Sequence, residues 1–286
     1  MALSPEQVQK FREDGFLVLP SWSSREECGQ LKARMDQLLQ EFDPEAVRSI
    51  FTTKGDQTAI TNDYFLKSSS GISFFLEEKA FDEATGKLKQ AKELSVNKVG
   101  HALHDLDPTF RAFSRNERVA SVLKSLDYKV PLPVQSMYIF KQPRIGGEVV
   151  PHQDSTFLYT EPMTTVGLWW ALEDCTKENG CLWAQPGIHK QGLSRRFLVR
   201  EEDKTSTFDK PKVEYDLGNF VPLECPAGSL VLLHGENVHY SAENTSDASR
   251  HSYSMHVVEG ASTCKYPADN WLQRPQEMPF EPMYES

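Results

Sequence analysis

The second half of the chain is built from short apolar segments, which Pro, Gly, Asn and Asp residues interrupt from Pro133 onward. Segments of this length with turn residues between them are typical of β-strands. The predicted strands are 134–140, 149–159, 164–172, 181–185, 213–217, 219–223, 229–233, 237–241 and 250–258. Because many short strands joined by turns are typical of two-layered or closed antiparallel structures, we predict a sandwich or a jelly roll here.

The first third has the pattern of helices instead. Ser4 and Gln7 form a capping box around a proline at the first helical position, and Gly15 suits the end of that helix. Residues 16–19 then predict a short buried strand. A second capping box at 24–27 predicts another helix. The apolar residues that follow it at helical spacing are Cys28, Leu31, Met35, Leu38 and Phe42.

Residues 45–100 show no clear period, and aromatic residues are scattered there among Gly, Ser and Asp. This pattern predicts either a layer that covers a pocket or loops that their rings pin to a core. Asp107-Pro108 starts a further helix with one apolar face.

We therefore predict a single α+β domain. Its parts are a mainly helical and loop covering layer at 1–130, a jelly-roll core at 131–260 and a C-terminal tail at 261–286.

Composition and charge narrow the classes of function. The chain is 39% hydrophobic, and its net charge is 31 − 41 = −10, which disfavours nucleic acid as the main partner. No apolar run approaches the ~18 residues needed to span a bilayer, so no membrane partner is expected. The five cysteines form no C-x-x-C pair and are expected to be free thiols. Neither a secretory signal nor a C-terminal peroxisomal address is recognisable, so we predict a cytoplasmic protein.

The triplet His152-Gln153-Asp154 carries the clearest chemical signal. On a strand, residues two apart point the same way, so an imidazole and a carboxylate converge on one point. One more imidazole from a neighbouring strand would complete a facial set of three ligands with open positions. That set is typical of non-haem Fe(II) oxygenases.

Two histidines, His234 and His239, are candidates for the third ligand, and their spacing alone does not decide between them. Either one also suits a structural role, bonded to a turn carbonyl. Arg250, which opens the last predicted strand, favours His239. A 2-oxo diacid bound to iron needs a cation at its far carboxylate, and the planar fork of arginine fits that carboxylate. A histidine on one strand and an arginine on the next would then hold the two ends of one cosubstrate.

Several segments together resemble the phytanoyl-CoA dioxygenase family. They include the H-Q-D triplet, the pair His239 and Arg250, and the segments 14–18, 136–140, 178–183 and 186–189. The resemblance covers nearly the whole chain and is weakest over 195–217. It implies a double-stranded β-helix (jelly-roll) core with flanking N-terminal helices, Fe(II) as the metal and 2-oxoglutarate as cosubstrate.

The resemblance also implies roles for individual residues. The catalytic metal ligands are His152, Asp154 and His239, and Arg250 holds the distal carboxylate of 2-oxoglutarate. The other residues around the cosubstrate are Lys98, Met137, Trp169 and Ser241. The lysine and the serine would hydrogen-bond to the cosubstrate, and the other two would pack against it.

The activity implied is that of a dioxygenase that converts 2-oxoglutarate and O2 to succinate and CO2 while hydroxylating a small organic substrate. Because Asp154 fills the coordination position that an iron halogenase leaves to halide, hydroxylation is favoured over halogenation. The family name suggests an acyl-CoA substrate, but the expected peroxisomal address is missing. The sequence therefore leaves the substrate open, and it does not indicate the oligomeric state.

Two other hypotheses fit parts of the pattern. A cupin-like isomerase or hydrolase with another divalent metal would explain the His and Asp ligands but would not explain the presence of Arg250. A non-catalytic sensor of 2-oxoglutarate would keep all the ligands. The remaining histidines with possible roles, which we expect to be structural, are His101, His104 and His189.

Overall fold

The computed structural model describes residues 2–44, 46, 49–51, 53, 63–82, 84–202 and 205–284. Within these residues the α-helices are α1 (Pro5–Asp14), α2 (Arg25–Glu41), α3 (Asp63–Lys67), α4 (Leu103–Leu106), α5 (Pro108–Ser114) and α6 (Glu117–Ser125). The strands in the first half of the chain are β1 (Phe16–Leu19), β2 (Ile50–Phe51), β3 (Ile72–Glu77), β4 (Val96–His101) and β5 (Pro131–Ile139).

The strands continue through the second half. They are β6 (Val149–His152), β7 (Val166–Ala171), β8 (Leu182–Ala184), β9 (Phe197–Val199), β10 (Ser206–Phe208), β11 (Val221–Leu223), β12 (Leu230–His234), β13 (His239–Ser241) and β14 (Ser252–Glu259). A large sheet has the order β1-β12-β7-β14-β5-β4-β3-β2, and a smaller one has the order β11-β8-β13-β6. Strands β9 and β10 pair separately as a hairpin. The fold is thus a mixture of helices with two main sheets.

The first two helices begin where the capping boxes predicted. The hydroxyl of Ser4 accepts a hydrogen bond from the backbone N–H of Gln7, and Ser24 caps α2 in the same way. Helix α1 ends at Gly15 in the left-handed region, with φ of 80°. A Cβ atom at Gly15 would also lie 2.4 Å from Nδ1 of His189, so both the turn and the close packing require glycine here.

Three predictions for local structure were wrong. No strand forms over 213–217, where Val213 and Leu217 are exposed and have no sheet to pack on. Conversely, 45–100 is not uniformly irregular, because β3 and β4 lie there and extend the large sheet beside β5. The helix expected after Asp107-Pro108 is also split into α5 and α6, since Asn116 caps a new helix with its side chain. The N-terminal part of the chain therefore contributes strands to the sheet besides covering it.

Side chains along β14 point alternately into the hydrophobic core and towards a cavity. Tyr253, Met255 and Val257 point into the main hydrophobic core. There the ring of Tyr253 stacks on Trp170 at 5.6 Å and contacts Phe110 of α5 at 5.0 Å, both between ring centroids. The residues between them face the opposite side of the sheet, where a cavity lies. None of the described helices is both long and apolar enough to cross a lipid bilayer.

Candidate active site

His152 and His239 face each other across two neighbouring strands of the small sheet. They are the last residue of β6 and the first residue of β13, and their Cα atoms are register partners. Their ring centroids lie 4.3 Å apart. This pairing selects His239 over His234, which ends β12 in the large sheet and is not among the residues that line the cavity.

Asp154 lies in a turn, although the sequence predicted a strand. It starts the 3-10 turn Asp154–Thr156, but the residue before it is still extended, so the carboxylate lies on the same side as His152. The side chain of Gln153 fixes this segment from the other side. Its Nε2 donates to the carbonyls of Gly192 and Glu236 at 2.9 and 2.8 Å. The middle residue of the triplet thus anchors the two outer residues.

The three side chains form a compact group of ligand atoms. Oδ1 of Asp154 lies 3.6 Å from Nε2 of His152 and 3.6 Å from Nε2 of His239. All three ligand atoms lie within 4.8 Å of one another. Two nitrogens and one carboxylate oxygen are the donor set of a non-haem Fe(II) centre.

Backbone carbonyls orient both imidazoles. Nδ1 of His152 lies 2.9 Å from the carbonyl of Val150, and Nδ1 of His239 lies 3.4 Å from that of Asn237. A carbonyl only accepts, so in both rings Nδ1 carries the hydrogen and Nε2 keeps its lone pair. This is the tautomer that a metal ligated through Nε2 requires.

The electrostatics of the group suit a metal as well. Burial would raise the pKa of Asp154, but His256 and His239 outweigh it and hold that pKa well below its usual range. Burial lowers the pKa of His239 to about 4. At neutral pH the carboxylate is therefore charged and the imidazole neutral, which are the protonation states of metal ligands. The residues present fit Fe(II).

Arg250 is a buried cation that lines the same cavity as the three ligand residues. It precedes β14, which begins at Ser252 and not at Arg250 as predicted. Its Nε donates to the carbonyl of Gly180 at 3.1 Å and its Nη1 to Oγ of Ser252 at 2.6 Å. Among the residues that the structure describes, Arg250 forms no ion pair with a carboxylate, and its guanidinium hydrogen bonds are those from Nε and Nη1. A buried guanidinium with free donors is a site for an anion.

Lys98 is a second buried cation in the cavity. It lies on β4, and its Nζ is 3.4 Å from the ring centroid of Phe51 and 3.9 Å from Sδ of Met137. Burial lowers the pKa of Lys98 to about 7. The sequence predicted no strand at 96–101, where the structure has β4. The structure brings every predicted site residue to one cavity of about 190 Å³, namely His152, Asp154, His239, Arg250, Lys98, Met137, Trp169 and Ser241.

Several aromatic side chains also line the cavity. Phe51 and Phe65 come from the region 45–100, for which a layer over a pocket was one of two predictions, and Phe197 comes from β9. Sequence reasoning missed Trp271 of the C-terminal tail, which is buried and packs on Phe65 with 4.4 Å between ring centroids. Phe157, which follows the triplet closely, also lines the cavity. The aromatic lining residues thus come from four separate parts of the chain.

One polar residue of the site was also missed. His256 of β14 lines the cavity, and its Nε2 lies 3.2 Å from Oδ2 of Asp154. Alternation along the strand could have identified it, because it is separated from Arg250 by an even number of positions and so faces the same way.

The other histidines have structural contacts. His104 is buried with Nδ1 2.8 Å from Oγ of Ser136, and Nε2 of His189 lies 3.1 Å from the carbonyl of Arg12. Nδ1 of His234 accepts a hydrogen bond from the backbone N–H of Glu236. His101 packs among aromatic rings at the cavity wall, with Nδ1 2.7 Å from Oγ of Ser68. None of the four belongs to a group that could hold a metal ion among the described residues.

Comparisons with known proteins agree with this geometry. A family model described as phytanoyl-CoA dioxygenase (PhyH) matches residues 11–252. Phytanoyl-CoA dioxygenase 1 of Oryza sativa subsp. japonica is 54% identical over 285 residues, which cover 100% of this chain and 98% of the rice protein. Phytanoyl-CoA dioxygenase domain-containing protein 1 of Rattus norvegicus is 47% identical, with 99% of each chain covered.

The fold is shared with distant enzymes of known structure. EctD from S. alaskensis, solved with 2-oxoglutarate and 5-hydroxyectoine, superposes with a TM-score of 0.63 at 18% identity, covering 96% of this chain and 82% of EctD. The rice and rat proteins are 54% and 47% identical to this chain over nearly its full length, whereas EctD shares the fold at 18% identity. The chain therefore belongs to the phytanoyl-CoA dioxygenase family and is a 2-oxoglutarate-dependent dioxygenase with Fe(II) as its metal cofactor.

Proposed function

We propose that this enzyme hydroxylates a small organic substrate in a single domain with a double-stranded β-helix (jelly-roll) core. In this proposal, His152, Asp154 and His239 hold Fe(II). Arg250 binds the distal carboxylate of 2-oxoglutarate, and the residues that surround the cosubstrate are Lys98, Met137, Trp169 and Ser241. The observation that carries the proposal is the buried Arg250, which has no carboxylate partner among the described residues and shares a cavity with the three metal ligands.

The bound metal and cosubstrate supply the oxidative chemistry, in which O2 and 2-oxoglutarate give succinate, CO2 and the oxygen atom for the substrate. The protein residues position and shield the reactants. The carbonyls of Val150 and Asn237 keep the Nε2 lone pairs of the two histidines directed at the metal position. The guanidinium of Arg250 fixes the far end of the cosubstrate, so that its 2-oxo end faces the three ligands.

The aromatic lining of the cavity supports a substrate with a hydrocarbon portion. Phe65, Phe157, Phe197 and Trp271 are part of that lining, and such a wall excludes water from the reacting groups. The name of the rice relative suggests a phytanoyl-CoA substrate for that protein. For this chain an acyl-CoA stays one alternative within the proposed class of small organic substrates. A cytoplasmic location stays a prediction from the sequence.

A turnover assay tests the proposal. The protein is reconstituted anaerobically with Fe(II), then given O2 and 2-oxoglutarate, and succinate is quantified with and without a library of small organic compounds. We expect Fe(II)-dependent succinate formation that the correct substrate stimulates, together with a product heavier by one oxygen atom. Protein that binds zinc tightly, has no affinity for 2-oxoglutarate and forms no succinate would instead support a cupin-like isomerase or hydrolase.

A further inference from the structure

His256 contacts the carboxylate of Asp154 from the side opposite the two histidine ligands. Oδ1 of Asp154 lies 3.6 Å from Nε2 of both His152 and His239, whereas Oδ2 lies 3.2 Å from Nε2 of His256. The two oxygens of one carboxylate therefore have different surroundings. Oδ2 is buried and forms no hydrogen bond of normal geometry to any described residue, and Nε2 of His256 lies beside it at ion-pair distance.

A glycine makes the room for this contact. Gly167 of β7 is the register partner of His256 on β14. A Cβ atom at Gly167 would lie 3.0 Å from Oδ2 of Asp154 and 3.6 Å from Cδ2 of His256. Any side chain here would therefore press on the carboxylate or the imidazole. On the other side of His256, the pairing of β14 with β5 shifts register directly after it. Such a bulge re-aims the side chain beside it.

The contact with His256 would give the two carboxylate oxygens of Asp154 different roles. A carboxylate can bind a metal through one oxygen or through both, and the second mode uses one more coordination position. Three protein ligands leave an octahedral metal with three positions, which the two oxygens of the cosubstrate and O2 require. A bidentate Asp154 would occupy one of these. An imidazole at Oδ2 competes with the metal for that oxygen.

We propose that His256 is a positioning residue that holds Oδ2 of Asp154, so that Asp154 binds the metal through Oδ1 alone. This role presupposes the metal site of the proposed function. In this role the hydrogen of His256 would be on Nε2, because a charged carboxylate only accepts. With Nε2 used in this way, His256 is not itself a ligand. Gly167 supports the same arrangement through the space that it leaves.

The test compares two substitutions of His256 with wild-type protein. His256→Phe keeps a ring of similar shape and removes the donor, whereas His256→Gln keeps an N–H that can reach Oδ2. Each protein is titrated anaerobically with Co(II) as a spectroscopic substitute for Fe(II). The dissociation constant is measured by calorimetry, and the coordination is followed by the visible absorption of the bound Co(II). A crystal structure of the Co(II) complex then gives the number of Asp154 oxygens on the metal.

We expect His256→Phe to weaken Co(II) binding about 10- to 100-fold, the usual effect of losing a hydrogen-bond partner of a metal ligand, with both Asp154 oxygens on the metal and an altered spectrum. His256→Gln should restore affinity and spectrum to near wild type. The same affinity, spectrum and single-oxygen coordination in His256→Phe as in wild type would overturn the proposed role while leaving the metal site intact. A wild-type protein that binds no Co(II) or Fe(II) would overturn the proposed function itself.

Discussion

His152 and His239 are register partners in the β6–β13 pair of strands, so two distant parts of the chain each place one imidazole beside Oδ1 of Asp154. The pairing depends on backbone hydrogen bonds within the small sheet, and the side-chain orientation depends on carbonyls two residues earlier in each case. The metal site is thus built mainly by the pairing of strands in the small sheet.

The first prediction contrasts two nearby histidines. His239→Ala should abolish Fe(II) binding, because it removes one of three ligands, whereas His234→Ala should retain it. His239 is buried and His234 is half-buried, so the second variant controls for the loss of a packed imidazole. Iron per folded protein, measured after anaerobic reconstitution and desalting, checks this. Retained iron in His239→Ala with loss in His234→Ala would assign the third ligand to the other histidine.

The second prediction concerns Arg250. Arg250→Lys should weaken 2-oxoglutarate binding about 10- to 100-fold, because an ammonium cannot form the two parallel hydrogen bonds of a guanidinium. Fe(II) affinity should stay unchanged, since Arg250 is not a ligand. Arg12→Lys, at an exposed residue whose ion pair with Asp127 lies outside the cavity, serves as the control and should change neither quantity. Calorimetric titration of 2-oxoglutarate measures the effect, and equal affinities for the two variants would refute the assignment.

The third prediction is a pH dependence from Lys98. Because burial lowers the pKa of Lys98 to about 7, its ammonium loses the proton as pH rises through that value in the free enzyme. An anionic cosubstrate binds better to the protonated form. The dissociation constant for 2-oxoglutarate should therefore increase as pH rises above about 7, by up to about tenfold per pH unit. The Lys98→Met variant should bind 2-oxoglutarate more weakly than wild type at low pH, and its dissociation constant should no longer depend on pH. A wild-type dissociation constant that stays the same from about pH 6 to about pH 9 would contradict the role of Lys98.

The fourth prediction concerns the attachment of the C-terminal tail that carries Trp271. Asp105 is buried and receives hydrogen bonds from Arg115 at 2.8 Å and from Arg274 of the tail at 2.9 Å. Asp105→Ala would leave both guanidinium groups without their carboxylate and should lower the free energy of unfolding by about 3–5 kcal/mol. Asp247→Ala removes an exposed ion-pair partner of Arg144 and should change the free energy of unfolding little. Urea unfolding at neutral pH measures both, and similar losses for the two variants would contradict this account.

Much of the site follows from the sequence because its chemistry is local. The alternation of side chains places His152 and Asp154 on one side even though the strand ends between them, since Gln153 remains extended. Capping boxes fix the starts of α1 and α2 through contacts within a few residues. Features of this kind need no knowledge of tertiary structure.

The parts that were missed depend on pairing between distant segments. Strand β4 carries Asn97, Lys98 and Gly100, which suggest a loop, yet the side chains of Asn97 and Lys98 line the cavity from this strand. Trp271 lines the cavity from the C-terminal tail, and Arg274 of that tail donates a hydrogen bond to Asp105. The two residues are far apart in the sequence, so no local pattern predicts this contact. The role of His256 depends on the glycine opposite it on another strand.

Anaerobic calorimetry of 2-oxoglutarate with and without Fe(II) tests the central claim most directly, because the claim is that one cavity holds the metal and the cosubstrate together. We predict stoichiometric binding of 2-oxoglutarate that is strong with Fe(II), much weaker without it, and lost in Asp154→Ala and in Arg250→Ala. Binding that is equally strong without Fe(II), or unchanged by both substitutions, would contradict the account.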